Sequence, residues 1–168
     1  MWDGNSWSAL GSGVGGSFPN NFSSVYALAF SGTNLYAGGI FSTADGITAT
    51  NIAMWDGNSW SALPGMNIAS LSLQYGLGGV CALAVSGTNL YAGGAFMTSV
   101  SVYIARWTGS NWSDLNPGLN GHVAALAMSG TNLYAGGFFD TADGLPANGI
   151  AMLNGNDWSC LLYTSRCV

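Results

Sequence analysis

The side chains able to do chemistry in this 168-residue chain are few. There is one histidine, His122, with no lysine and no glutamate, and all seven acids are aspartates. The bases are Arg106 and Arg166, and the thiols are Cys81, Cys160 and Cys167. Nucleophilic catalysis needs a base beside the nucleophile, and His122 is the one imidazole that could serve. Zinc needs several Cys or His ligands, so a lone His122 reads as a surface residue and no metal site is expected. Calcium needs dense oxygen ligands in a rigid loop. The matching TADG turns at Asp45-Gly46 and Asp143-Gly144 offer one carboxylate each, without the spacing of a calcium loop. An Asp in such a turn usually bonds nearby backbone. Paired carboxylates could hydrolyse glycosides, but these aspartates fall mostly in turn positions. Gly38-Gly39 is no phosphate loop, since neither a helix nor a Lys follows it. These residues predict a chain that is not an enzyme and takes no cofactor.

Tryptophan is the remaining recognition chemistry. Trp2, Trp7, Trp55, Trp60, Trp107, Trp112 and Trp158 could stack on sugars, but they recur at matched positions and so read as core first. The composition sets the context. Apolar residues make up 49% and charged residues 5%, against roughly 25% charged in ordinary soluble domains. Disorder requires the opposite balance, so a packed core is expected. A net charge of −5 with two arginines argues against nucleic acid and anionic membrane surfaces. No apolar run reaches the roughly 18 residues of a membrane span, and no secretory leader opens the chain. Three cysteines do not make a disulfide framework. Cys81 stands where the other repeats have Tyr26 and Ala124, which suits a small buried thiol. Asn21-Phe22-Ser23 and Asn111-Trp112-Ser113 match the glycosylation acceptor pattern.

The elements that must position these residues are repeats. The nonapeptide SGTNLYAGG occurs three times, within segments beginning at Val25, Val80 and Val123, spaced 55 and 43 residues apart. Propeller blades recur at about 40–50 residues. A second segment, Ile52 to Ser61, returns as Ile104 to Ser113 and more loosely as Ile150 to Ser159, and Met1–Leu10 copies Met54–Leu63. Each unit reads as four strands, in the first unit Val25–Phe30, Leu35–Phe41, Ile52–Trp55 and Trp60–Leu63. A tight turn at Gly57-Asn58 sets Trp55 opposite Trp60, and Trp107 opposite Trp112 likewise. Trp158 keeps its place while Leu153 replaces its partner. Gly38, Gly39, Gly93, Gly94, Gly136 and Gly137 should lie where a neighbouring sheet comes close or a strand bulges, so that any larger side chain clashes. The expected fold is all-β: a partial β-propeller of about three four-stranded antiparallel blades plus extra N-terminal strand.

The repeat wording, ALAxSGTNLYAGGxF followed by IAxWDGNSWSAL, resembles kelch-type propeller blades. It looks closer still to secreted bacterial repeat proteins, and it is similar to the repeats of a fungal cortical polarity-marker family. The resemblance implies binding or scaffolding outside the cell or at its surface, and it carries no catalytic residue. The expected divisions are 1–24 as the end of a preceding blade and its linker, 25–79, 80–122 and 123–159 as blades, and 160–168 as a non-native tail. Cys160 to Ser165 resembles translated sequencing adapter. On this reading the chain is a fragment whose partners are further blades or a second open arc.

The loops suggest where ligands bind. Strands alternate in direction, so the invariant 1–2 turns and nearly invariant 3–4 turns share one edge. The 2–3 loops (Ser42–Thr50, Met97–Ser101, Asp140–Asn148) and the linkers between units (Gly11–Ser24, Pro64–Gly79, Asn116–His122) share the other, and these vary. Recognition usually sits on loops held by a rigid scaffold. The candidate contacts there are Phe22, Asp45, Tyr75, His122, Asp140 and Asp143. The expected ligand is a protein or a glycan, the latter on the alternative reading of a lectin-like propeller.

Overall fold

The short apolar runs form strands because alternate residues have a sheet face to bury and glycine-led turns reverse the chain between them. The computed structural model describes residues 1–16, 23–63, 69–70, 78–97, 102–115 and 118–161, among which there are strands and turns but no helix. The first sheet runs Ser24–Ser31, Asn34–Ile40, Ile52–Trp55, Trp60–Ala62, in that spatial order. The third repeats it with His122–Ser129, Asn132–Phe138, Ile150–Asn154 and Asp157–Cys160. The second sheet has Gly79–Ser86, Asn89–Met97, Val102–Trp107 and Trp112–Ser113, and a fifth strand, Ala69–Ser70, pairs with the end of Asn89–Met97. All the ladders within these sheets are antiparallel, and none of the sheets closes into a barrel.

The turn chemistry is specific. In the 1–2 hairpins, Ser31 pairs with Asn34 across Gly32-Thr33, and only Gly32 has positive φ, at 59°. Gly87 and Gly130 do the same at 58° and 60°. Positive φ at the first central residue alone marks a II′ turn, where glycine is required. At the 3–4 turn Gly57 has φ 102° while Asn58 does not join it, so the Asn tolerance expected there is unused. Asn58 and Ser59 instead donate their backbone N–H groups to Asp56 Oδ1, at 2.8 and 2.7 Å. The facing tryptophans follow: Trp55 pairs with Trp60 and Trp107 with Trp112, with ring centroids 5.6 and 5.4 Å apart.

Each first strand carries a bulge. Val25 pairs with Gly39 and Ala27 with Gly38, which leaves Tyr26 as the extra residue, and Ala124 is left in the same way between Val123 and Ala125. The bulge explains the second glycine of each pair. A β-carbon on Gly39 would run into the Ser24 carbonyl oxygen, on Gly94 into that of Gly79, and on Gly137 into that of His122.

The first glycine of each pair serves the stacking of sheets. Along each first strand Val, Leu and a third apolar residue (Val25, Leu28, Phe30 in the first sheet) share what we term the front face. Gly38 and Ile52, paired across the ladder, share the back. The front of the second sheet packs on the back of the first, joining Val80, Leu83 and Val85 to Tyr36 and Ile52. The front of the third packs on the back of the second, joining Val123, Leu126 and Met128 to Tyr91 and Ile104. A β-carbon on Gly38 would lie 2.5 Å from Val80 Cγ1, and one on Gly93 would lie 2.6 Å from Val123 Cγ1. Gly136 departs from the expected clash. Its nearest neighbours, Ala125 Cβ and the Gly149 carbonyl oxygen, are 4.0 Å away, and among the described residues no sheet covers the back of the third.

Candidate functional site

The antiparallel registers place the loops as expected. Leu35, just after the 1–2 turn, pairs with Trp55, just before the 3–4 turn, so both turns lie at one edge. The 2–3 loops and the linkers meet at the other, where they are zipped together in a way the sequence did not reveal. In the first unit, Thr43–Ala44 and Ile47–Thr48 form a hairpin, and the linker strand Val14–Gly15 pairs with Thr43–Ala44. In the third, Thr141–Ala142 pairs with Leu145–Pro146, and Leu119 bridges to Ala142. The two-residue turns between these strands are Asp45-Gly46, φ 51° and 77°, and Asp143-Gly144, φ 53° and 71°. Positive φ at both centres is the I′ geometry that Asp-Gly favours.

Asp45 is exposed, yet its carboxylate is committed. Ser12 donates its backbone N–H and its hydroxyl to Asp45 Oδ1, both at 2.8 Å, while the Asp45 N–H donates to the Gly13 carbonyl. The backbone and side-chain bonds from Ser12 hold this carboxyl below its ordinary value of 3.8. Asp45 therefore clasps the linker rather than its own turn. Among the described residues Asp143 shows the backbone half of that clasp, its N–H donating to the Gly118 carbonyl, while Pro117, which matches Ser12, lies outside them. The Asp140 side chain is exposed, and its backbone N–H, like that of Thr141, donates to Asn120 Oδ1 at 2.9 Å. Among the described residues no hydrogen bond joins these candidates to one another. Phe22 and Tyr75 lie outside the described residues.

His122 is not the surface residue that the sequence suggests. It opens the first strand of the third sheet, half-buried, with its ring stacked on Phe138 at a centroid distance of 5.7 Å. Its Nε2 lies 3.4 Å from Cys81 Sγ in the second sheet, and its Nδ1 is buried without a partner. Burial pushes the imidazole below 6.5 and the Cys81 thiol above 9.0. Both shifts favour the neutral forms, so the pair is a histidine against a thiol, not the imidazolium–thiolate pair of an activated nucleophile. Cys81 is free and half-buried, close to the small buried thiol expected, and Cys160 is disulfide-bonded.

Four of the tryptophans, Trp60, Trp107, Trp112 and Trp158, are buried, and Trp55 is half-buried. The Trp60 indole donates to the Leu10 carbonyl at 2.8 Å and the Trp158 indole to the Leu115 carbonyl at 3.2 Å. Each bond ties a sheet to the end of the preceding repeat. Trp2 and Trp7 pair across an isolated bridge and stay exposed, at 51% and 79%.

Two structural residues escaped sequence reasoning. Asn51 is the buried polar side chain of the described core, where its Oδ1 accepts the Phe41 N–H at 3.1 Å. It has φ 61°, and the matching Tyr103 and Gly149 have 66° and 82°. The left-handed kink before each third strand is therefore a feature of the backbone. Asn and Gly tolerate it, but a tyrosine does not do so readily. The signal was the mixture of residue types at one repeat position, which is weak without coordinates.

No protein-family model matches the chain, and no curated protein matches it in sequence. Among solved structures the chain is similar to the computationally designed Ika4 protein. The identity is 17% and the TM-score 0.33, over 73% of this chain and 90% of that one. A superposition that loose decides nothing about fold or function.

Proposed function

We propose that the chain is a kelch-like segment of a β-propeller that acts as a non-catalytic binding or scaffold module, secreted or at the cell surface. Ligand contacts fall on the edge carrying the 2–3 loops and the linkers. The observation that carries this reading is the repeated stack. Three sheets of matched register pack front to back through the same residues, as blades do, and the variable segments collect at one edge on a rigid support. The chemistry of the polar residues agrees: Asp45 and Asp56 are engaged in turns and clasps, and Cys81 and His122 favour their neutral forms.

The test is photo-crosslinking from single positions in the chain, presented to the secreted and surface proteins of a cell extract. A photoreactive residue at Asp140 or Asp143 should capture a protein. One at Thr33 or Thr131, on the turn edge, should capture none. Capture from the turn edge alone would refute the assignment of the face.

A carbohydrate-binding reading rests on one separate observation, the exposed Trp2 and Trp7 rings, whose centroids lie 5.6 Å apart. Glycan-array binding lost on Trp7→Ala but kept on Asp143→Ala would favour that reading.

A further inference from the structure

Cys81 and His122 stand 41 residues apart and form no sequence motif, yet the packing of the third sheet on the second brings them together. Cys81 occupies the position of its first strand that matches the bulged residues Tyr26 and Ala124, and a bulge re-aims the side chain it carries. His122 opens the neighbouring first strand, and stacking on Phe138 sets the plane of its ring. The result is Cys81 Sγ 3.4 Å from His122 Nε2, one donor from each sheet. Cys81 is a free thiol, and both residues are only half-buried, so solvent reaches the pair.

Distance sets what the pair can hold. Bonds like those of zinc, about 2.3 Å to sulfur and about 2.0 Å to nitrogen, place the two donors roughly 3.5 Å apart at a tetrahedral angle and about 4.3 Å apart in line. The observed 3.4 Å lies at the near end of that range, and a swing of the His122 ring by about 1 Å reaches the far end. Charge selects the ion. A thiolate and a neutral imidazole carry one negative charge between them, so a monovalent ion makes the set neutral. A divalent ion would leave a net positive charge in a half-buried place, where charge is costly. No carboxylate is at hand to offset it, since among the described residues no three His, Cys, Asp or Glu gather. Thiolate is also the soft donor that selects Cu(I).

We propose that Cys81 Sγ and His122 Nε2 bind one Cu(I) ion and so bridge the second and third sheets. The step exchanges a proton for the ion. The Cu–S bond forms as the S–H bond breaks, the thiol proton leaves to solvent, the Nε2 lone pair makes the second bond, and copper keeps its oxidation state. Burial holds the thiol above 9.0, so that proton is present to be displaced near neutral pH, while the Ala95 backbone hydrogen bond favours the thiolate that forms. The ring proton sits on Nδ1, which is buried with no partner among the described residues. No hydrogen bond of the kind that usually reinforces a metal-bound histidine therefore adds to the two bonds themselves.

The repeats supply the control variants. Cys81→Ala installs the residue found at Ala124, and His122→Ser the residue found at Ser24, so each should keep the unmodified chain's circular dichroism. Cu(I) is delivered as its acetonitrile complex under nitrogen, without thiol reductant, in competition with the chelator bicinchoninate. The unmodified chain should take one equivalent, release one proton per ion, and show one sulfur and one nitrogen neighbour in copper X-ray absorption. Loss of a group behind a metal ligand already costs about 10–100-fold in affinity, so each variant, which loses a ligand, should bind at least about 100-fold more weakly. An unmodified chain that takes up no Cu(I) would overturn the proposal. So would His122→Ser binding as tightly as the unmodified chain, or Cys81→Ala retaining a full equivalent. Zn(II) binding as tightly as Cu(I) would overturn the choice of a monovalent ion.

Discussion

The three SGTNLYAGG copies allow the cost of a single methyl group to be measured in two contexts. A β-carbon on Gly93 would lie 2.6 Å from Val123 Cγ1, 3.0 Å from Val123 Cβ and 3.3 Å from Leu126 Cδ1. Carbon atoms rest about 3.5–4.0 Å apart, so the two sheets must separate locally by roughly 1 Å. Val123 is fully buried and has nowhere to turn. Overpacking of this kind costs about 1–3 kcal/mol. At roughly 2–4 °C per kcal/mol for a chain of this size, Gly93→Ala should lower Tm by about 2–12 °C, and Gly38→Ala by a similar amount. Gly136→Ala meets nothing closer than 4.0 Å, and its φ is not positive. Restricting the unfolded chain should then make it neutral or more stable by about 0.4–1 kcal/mol. Urea unfolding followed by tryptophan fluorescence, at a protein concentration low enough to keep the chain monomeric, measures all three. The reasoning fails if Gly136→Ala is as destabilising as Gly93→Ala, or if Gly93→Ala is neutral.

Four further outcomes are expected. Asn51→Gly keeps the left-handed backbone and loses the Phe41 bond, costing about 1–3 kcal/mol. Asn51→Ala adds a further ~1 kcal/mol of backbone strain, and denaturant midpoints rank the two. Tyr103→Asn, which places an asparagine in the kink as at Asn51, should hold or raise Tm despite the smaller side chain, and a clear loss would show that ring packing outweighs strain. Because burial lowers the His122 pKa, the folded chain resists a proton that the unfolded chain accepts. This contribution is full above pH 6.5 and is lost as pH falls from there through the lowered value. Tm measured between pH 8 and pH 5 should fall, and His122→Gln should flatten that slope. Asp45→Gly, which keeps the left-handed turn, should leave Tm nearly unchanged while speeding hydrogen exchange at the Ser12 amide, since it removes the exposed clasp and no buried contact.

Local chemistry in the sequence determined the strands, the turns and the facing tryptophans. Their causes lie within a few residues: glycine at the head of a II′ turn, alternating apolar positions, and Trp55 five residues before Trp60 across a four-residue connection. The edge that carries the variable loops also followed, since antiparallel order decides it. Other features depended on segments far apart in the chain. Asp45 finds Ser12 across 33 residues, and His122 finds Cys81 across 41. Gly38, Gly93 and Gly136 sit in identical nonapeptides, yet two are pressed by a valine and the third is open. Nothing in the nonapeptide distinguishes them, because the difference lies in whether another sheet packs against that face. The repeat thus specified the interface, and only the tertiary structure decided where it is filled and where it is left open.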